Sequence, residues 1–132
     1  VIPELIKKFI NNEVVKITHG KQTREFNYVG NTVSFLIKSM ENKKLFNNIT
    51  NISDGNEISI RNLAQKIKKM TNSNSKLIIG GIPERKTEIK RMKASTSKMK
   101  KFIKLKKKIS FEKGLSKTIN WYKNQNKLFS YF

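Results

Sequence analysis

Two charged residues three positions apart, Arg85 and Glu88, follow a Gly-Gly-Ile-Pro turn at 80–83 and open the stretch ERKTEIKRMKASTSK at 84–98. A guanidinium can fork two hydrogen bonds to a phosphate, and a carboxylate can accept from a sugar hydroxyl. Held together beside a turn, the pair suits an anionic, hydroxyl-rich ligand. A short polar helix start at Ser95 comes next. An amphipathic helix then opens at Ser110, in SFEKGLSKTINWYKN at 110–124.

The elements that must hold these residues follow from the apolar pattern. Pro3 suits the first turn of a helix whose Leu5, Ile6, Phe9 and Ile10 share a face. Val14 to Ile17 reads as a short strand, Thr18 to Gln22 as a turn containing Gly20, and Phe26 to Val29 as β-prone. Asn31 is placed as the N-cap of a helix bearing Val33, Phe35, Leu36, Ile37 and Met40. Phe46 to Ser53 alternates weakly and ends at the Asp54-Gly55 turn signal. Ser59 can cap a helix with Leu63, Ala64, Ile67 and Met70 on one side. Lys76 to Ile79 is a strand closed by Gly80-Gly81. Phe111, Leu115, Ile119 and Tyr122 form a last helical stripe, on which Trp121 and Tyr122 are expected to pack rather than stack on a ligand. These elements make a small α+β layer of short strands and packed helices, without internal repeats. The Lys98–Lys108 segment is expected to form a short helix and a loop.

Length and composition set bounds. A chain of 132 residues holds one modest core. It has no cysteine, so neither disulfides nor thiolate chemistry are available, and a single histidine, His19, cannot build a multi-histidine metal site. His19 is read as a turn residue. No apolar run approaches the ~20 residues needed to span a bilayer. The start VIPELIKKF lacks the pattern of a secretory signal. A cytoplasmic location and no membrane partner are the resulting expectations. Because the chain begins with Val1 and enters a helix within two residues, it is expected to be a piece of a longer polypeptide.

The formal net charge of +20 suggests a polyanion partner. The composition argues otherwise: 25 lysines stand against 4 arginines, with 15 Asn and 17 Ile, whereas Ala, Gly, Pro and Arg together number 14. Residues with A/T-rich codons are in excess, as expected of genome base bias acting on tolerant surface positions. Nucleic-acid sites favour arginine for its planar fork. A basic nucleic-acid or polyanion-binding module is therefore the alternative reading, and no nucleic-acid partner is expected. A basic membrane-surface helix around Lys98 to Leu105 has too short an apolar face to compete.

Four stretches in order resemble the C-terminal part of the NAD-dependent nucleotide-sugar epimerases and dehydratases of the extended short-chain dehydrogenase/reductase family. GKQTREFNYVGNTVSFLIKSM (20–40) is similar to the family's Gln-x-Arg, aromatic, Tyr-Val and capped-helix run, and NISDGNEISIRNLAQKI (51–67) to its Asn-Ile-Gly-x-Gly turn with strand and helix. The 84–98 and 110–124 stretches complete the match. Residues 1–124 would form the substrate-binding region and 125–132 a tail. The resemblance implies that Arg24 and Arg85 contact a nucleotide diphosphate and that Glu88 lies near the ribose hydroxyls. It places Pro3, with Val1 and Ile2, along the base, and Ile17 against it.

The sequence departs from the family pattern in four places. Asn31 stands for an Asp, Ser53 for a glycine and Ser95 for an Asp, and Lys104 to Lys107 replace a Gly-Trp-x-Pro. What the chain lacks is equally informative. It has no Gly-x-x-Gly-x-x-Gly cradle and no Tyr-x-x-x-Lys pair, since Tyr28 is followed at the fourth place by Thr32 and Tyr122 by Asn126. The resemblance therefore implies an N-terminal Rossmann domain outside this chain, which binds NAD(P) and carries the catalytic residues of an α/β enzyme that commonly forms homodimers. Residues 1–132 are expected to bind no cofactor and to be inactive alone.

Overall fold

A computed structural model describes residues 1–105 and 108–129. Helix α1 (Ile2–Ile10) leads into strand β1 (Val15–Ile17), then β2 (Thr23–Glu25) and α2 (Val29–Met40). A 3-10 turn (Lys43–Leu45) precedes β3 (Glu57–Ser59), α3 (Ile60–Thr71) and β4 (Leu77–Ile79); α4 (Ser97–Phe102) and α5 (Phe111–Phe129) follow. The arrangement is α+β, as the apolar periodicity requires. β1 pairs in parallel with β4, and β2 pairs antiparallel with β3 so that Arg24 faces Ile58 in the register.

The main core forms where the predicted stripes converge. Leu5, Ile6 and Phe9 of α1 meet Leu63, Ala64 and Ile67 of α3, Val15 and Ile17 of β1, and Leu115 and Ile119 of α5. Burying each large aliphatic side chain stabilises the fold by about 1.5–3 kcal/mol. Phe26 and Ile58 pack onto this core and anchor the β2–β3 ribbon to it. A second, smaller cluster joins Phe35, Leu45, Met99 and Ile103.

Local chemistry ends the elements where expected at several points. The Ser59 hydroxyl accepts from the Asn62 amide at 3.1 Å, and the Ser110 hydroxyl accepts from the Lys113 amide at 3.2 Å; both are helix caps. Gly20 has φ +66°, and a Cβ there would lie 2.8 Å from the Arg61 amide nitrogen. Only glycine suits that turn between β1 and β2.

Other expectations need correction. The residues read as β-prone, 26–29, follow the strand rather than form it, because pairing with β3 falls on Thr23–Glu25. Asn31 is not a cap: Tyr28 holds that place, and Asn31 is buried within α2. Its amide donates to the Ile109 carbonyl at 2.8 Å, and its carbonyl accepts from the Ile109 amide at 3.0 Å. The side chain thus acts as a backbone mimic that ties α2 to the entrance of α5. Phe46 to Ser53 forms no strand. The polar helix begins at Ser97 behind Thr96, not at Ser95. Tyr122 packs on the core, but Trp121 is 55% exposed and touches Tyr122 edge-on at 4.8 Å. The stretch assigned as a tail begins within α5, which continues to Phe129; residues 130–132, like Lys106 and Lys107, lie outside the described residues.

Replacing Asn31 by Ala removes both bonds to Ile109 and leaves its backbone groups without their partner, so it is expected to cost about 1–3 kcal/mol. Urea unfolding measures this directly. A loss no greater than that of an exposed control such as Asn120→Ala would show that the bridge contributes little.

Candidate functional site

Strand β2 organises the polar cluster because both of its edges are occupied. On one side it pairs with β3; on the other, the Thr23 amide donates to the Lys90 carbonyl at 2.9 Å and the Thr23 carbonyl accepts from the Met92 amide at 3.2 Å. The segment around 88–94 is thereby strapped along β2. With residues 84–87 before it, the loop carries Arg85, Lys86, Lys90, Arg91 and Lys93 against Glu84 and Glu88 and is strongly cationic.

Arg24 sits where the strap crosses. Its Nη1 donates to the Thr23 and Ile89 carbonyls, both at 2.8 Å, and its Nη2 donates to Glu88 Oε1 at 2.6 Å. These bonds fix the plane of the guanidinium while leaving its Nε–H and one Nη2–H without described partners. A planar cation immobilised in this way is suited to an anionic oxygen. A cleft of about 360 Å³ opens beside it, lined by Arg24, Asn27, Asn51, Ser53 and Lys93 among others.

The opposite face of β2 is a carboxylate clamp. Glu57 lies across from Glu25, and this like-charged pair persists because each carboxylate has donors of its own. Glu57 takes a two-pronged bond from Arg91 at 2.8 and 2.7 Å, another from the Thr23 hydroxyl at 2.9 Å, and has the Lys93 ammonium at 3.4 Å. The Arg91 hydrogen bonds, against the opposing effect of burial and with help from Thr23 and Lys93, hold the Glu57 carboxyl at about 2 rather than near 4.5. Glu25 Oε2 accepts from the Ala94 amide at 2.6 Å, which pins the end of the strap.

Of the five residues expected at a ligand, two are brought together by their side chains and a third lies in the adjoining turn. Arg24 and Glu88 are paired, and Arg85 starts the turn that delivers Glu88, whose amide donates to the Arg85 carbonyl at 3.1 Å. Arg85 is exposed and has no carboxylate partner among the described residues, so the Arg85–Glu88 side-chain pair that their spacing allows is replaced by Arg24–Glu88. Ile17 is connected to this loop only through its carbonyl, which accepts from the Ile82 amide at 3.3 Å; its side chain is buried in the main core. Pro3 is exposed at the start of α1, with no described bond to the cluster. His19 is exposed in the turn beside Gly80, with its ring 3.2 Å from where a Cβ of that glycine would lie.

Sequence reasoning missed Thr23, Glu25, Glu57 and Arg91. Glu57 and Arg91 are 34 residues apart, and no local pattern joins them. One signal was present: in a chain that writes its positive charge as lysine, three of the four arginines, Arg24, Arg85 and Arg91, belong to this region. Arginine is retained where fork geometry matters.

No family model matches the chain. It is 33% identical over 130 residues to the UDP-N-acetyl-alpha-D-glucosaminuronate decarboxylase of Bacillus cytotoxicus, a match that covers 93% of this chain and 40% of that protein. It is 32% identical over 123 residues to the CDP-abequose synthase of Salmonella muenchen, covering 91% of this chain and 41% of that one. Among solved structures, the UDP-N-acetylglucosamine 4-epimerase of Methanobrevibacter ruminantium, in complex with UDP-N-acetylmuramic acid, superposes with a TM-score of 0.82 at 28% identity; 95% of this chain and 39% of that chain are covered. The chain thus spans about two fifths of the length of the curated relatives it matches. Among the described residues no helix is long and apolar enough to cross a membrane.

The low position of Glu57 has a direct consequence for acid stability. Its folded value is depressed, so the clamp contributes stability above the ordinary carboxyl value near 4.5 and loses it as pH falls toward about 2. Wild-type protein should therefore weaken more steeply across that interval than Glu57→Gln when urea midpoints are compared. Parallel curves for the two proteins would show that the clamp does not stabilise the fold.

Proposed function

We propose that this chain, a homologue of part of the nucleotide-sugar enzymes of the extended short-chain dehydrogenase/reductase family, is the portion that binds the nucleotide sugar. The observation that carries this reading is the Arg24 guanidinium, immobilised by Glu88 and two carbonyls yet with donors to spare, beside the cationic loop that starts at Arg85. A diphosphate would take charge-assisted bonds from Arg24 and Arg85, each worth about 1.5–3 kcal/mol. Glu88 would accept from a ribose hydroxyl with the oxygen that Arg24 leaves open, and Pro3 and Ile17 would border the base. The names of the relatives, which work on UDP- and CDP-linked sugars, support the ligand class.

The whole protein is proposed to be an NAD(P)-dependent nucleotide-sugar epimerase or dehydratase. NAD(P) supplies hydride acceptance and return in such chemistry. The residues present do not fit that group: the two strand-to-helix junctions, at Tyr28 and Ser59, carry no glycine-rich loop that a pyrophosphate could enter. No redox step is therefore assigned to this chain. Its contribution is to bind, orient and select the substrate.

Calorimetric titration of the complete enzyme with UDP-glucose and with CDP-glucose, before and after Arg24→Ala and Arg85→Ala, tests the assignment. Each substitution is expected to weaken the preferred ligand by roughly tenfold or more. Unchanged affinity in both variants would remove the two arginines from the site.

A further inference from the structure

The strap is joined to β2 by one parallel bridge, between Thr23 and Arg91, whose two backbone bonds run from Thr23 to Lys90 and Met92. A bridge of one residue pair specifies register weakly by itself. Glu57, on the neighbouring strand β3, bonds both members of that pair. Its Oε1 accepts from the Thr23 hydroxyl at 2.9 Å and from Arg91 Nε at 2.8 Å, and its Oε2 accepts from Arg91 Nη2 at 2.7 Å. The Lys93 ammonium, 3.4 Å from Oε2, adds a tie two residues further along the strap. The Glu57 side chain that makes these bonds is only 15% exposed. A two-pronged, charge-assisted bond of this kind adds geometric specificity as well as strength.

We infer that Glu57 is a positioning residue for nucleotide-sugar binding: by clamping Thr23 and Arg91 it locks the strap in the register that aims the Arg24 guanidinium at the diphosphate. This rests on the substrate-binding reading above. Neighbouring side chains of a strand point to opposite faces, so Glu57, opposite Glu25 in the register, and Arg24 lie on different faces of the ribbon. Glu57 therefore acts on the ligand through the strap. Of the three bonds that fix the Arg24 guanidinium, two come from strap residues, the Ile89 carbonyl at 2.8 Å and Glu88 Oε1 at 2.6 Å. Both lie two or three positions before Arg91, so a slip at the bridge withdraws both. The Glu25 bond to the Ala94 amide lies beyond the bridge, on the far side from Glu88. Glu57 has a second effect, on charge. It engages both prongs of the Arg91 fork, so a diphosphate meets Arg24 and not a competing guanidinium. Held at about 2, its carboxyl remains ionised throughout the neutral range, and the clamp is at full strength there.

Calorimetric titration of the complete enzyme with UDP-glucose, run as a double-mutant cycle with Arg24→Ala, reads the coupling directly. Glu57→Gln keeps the shape and an accepting oxygen but loses the charge, and it is expected to weaken UDP-glucose roughly tenfold. Arg91→Lys keeps the charge without the fork and is expected to weaken it about threefold; it carries the test should Glu57→Gln not fold. In the Arg24→Ala background neither substitution should cost more than about twofold, since the group they position is gone. Glu41→Gln, which breaks an exposed ion pair with Lys38, should leave affinity unchanged. Urea midpoints of the same proteins separate positioning from support alone. A lowered midpoint with the affinity of folded Glu57→Gln intact, while Arg24→Ala is impaired, would overturn the inference and leave the substrate reading standing. Equal weakening in the wild-type and Arg24→Ala backgrounds would also overturn it, because the effect then bypasses Arg24. Should Arg24→Ala itself leave UDP-glucose affinity unchanged, Arg24 is not at the ligand, and this inference falls with the substrate reading.

Discussion

The pairing of residues 90–92 with the outer edge of β2 is the constraint on which the candidate site depends. Two backbone bonds at Thr23 set the register of the strap. That register brings Glu88 and the Ile89 carbonyl to Arg24 and Arg91 to Glu57. A shift by one residue would turn these side chains to the wrong face and break both ion pairs. The ribbon itself is held from behind: Ile58, opposite Arg24, and Phe26, two residues on, are packed into the main core. The guanidinium is thus carried by a rigid strand over an apolar base, the condition under which a charged group can be aimed without ordering cost at the moment of binding.

The two faces of β2 differ in how far their polar groups are already engaged by the fold. Glu57, Arg91 and Thr23 bond one another and Glu25 Oε2 holds the Ala94 amide, so these contacts serve the fold, while Glu25 Oε1 is buried without a partner among the described residues. Arg24 is pinned by fewer partners than it can serve, and Arg85 is exposed without a carboxylate among the described residues. The first set fixes geometry, and the second retains capacity for a ligand. A surface cation far from such a support would be only one more solvated charge in a basic chain.

Much of this was legible in the sequence, and the boundary of legibility is physical. Helices with strong apolar stripes and local caps, such as Ile60–Thr71 behind Ser59, were readable because their determinants lie within a few residues. Asn31 was misread because an Asn before an apolar run signals a cap; its true role is a bond to Ile109, 78 residues away. The segment 46–53 was too weakly patterned to specify a state. Arg24, Arg85 and Glu88 could be named from the resemblance, but their contacts could not: Arg24 lies 64 residues before Glu88, and only the strap brings the two together. The net charge suggested a polyanion partner and the lysine excess pointed to base bias instead, whereas the positions at which the chain keeps arginine mark the cluster that geometry assembles.

The central claim is that a nucleoside diphosphate is recognised at Arg24 and the 85–88 turn. A ¹⁵N chemical-shift titration of the chain with UDP, CDP, GDP and TDP in turn, with short duplex DNA as the competing ligand, tests it residue by residue. The account predicts saturable, base-dependent shifts confined to Arg24, the 80–93 loop and the start of α1, retained at physiological salt. Shifts produced by DNA alone, spread over the lysines of 98–108 and abolished by salt, would contradict it and return the chain to a polyanion-binding role.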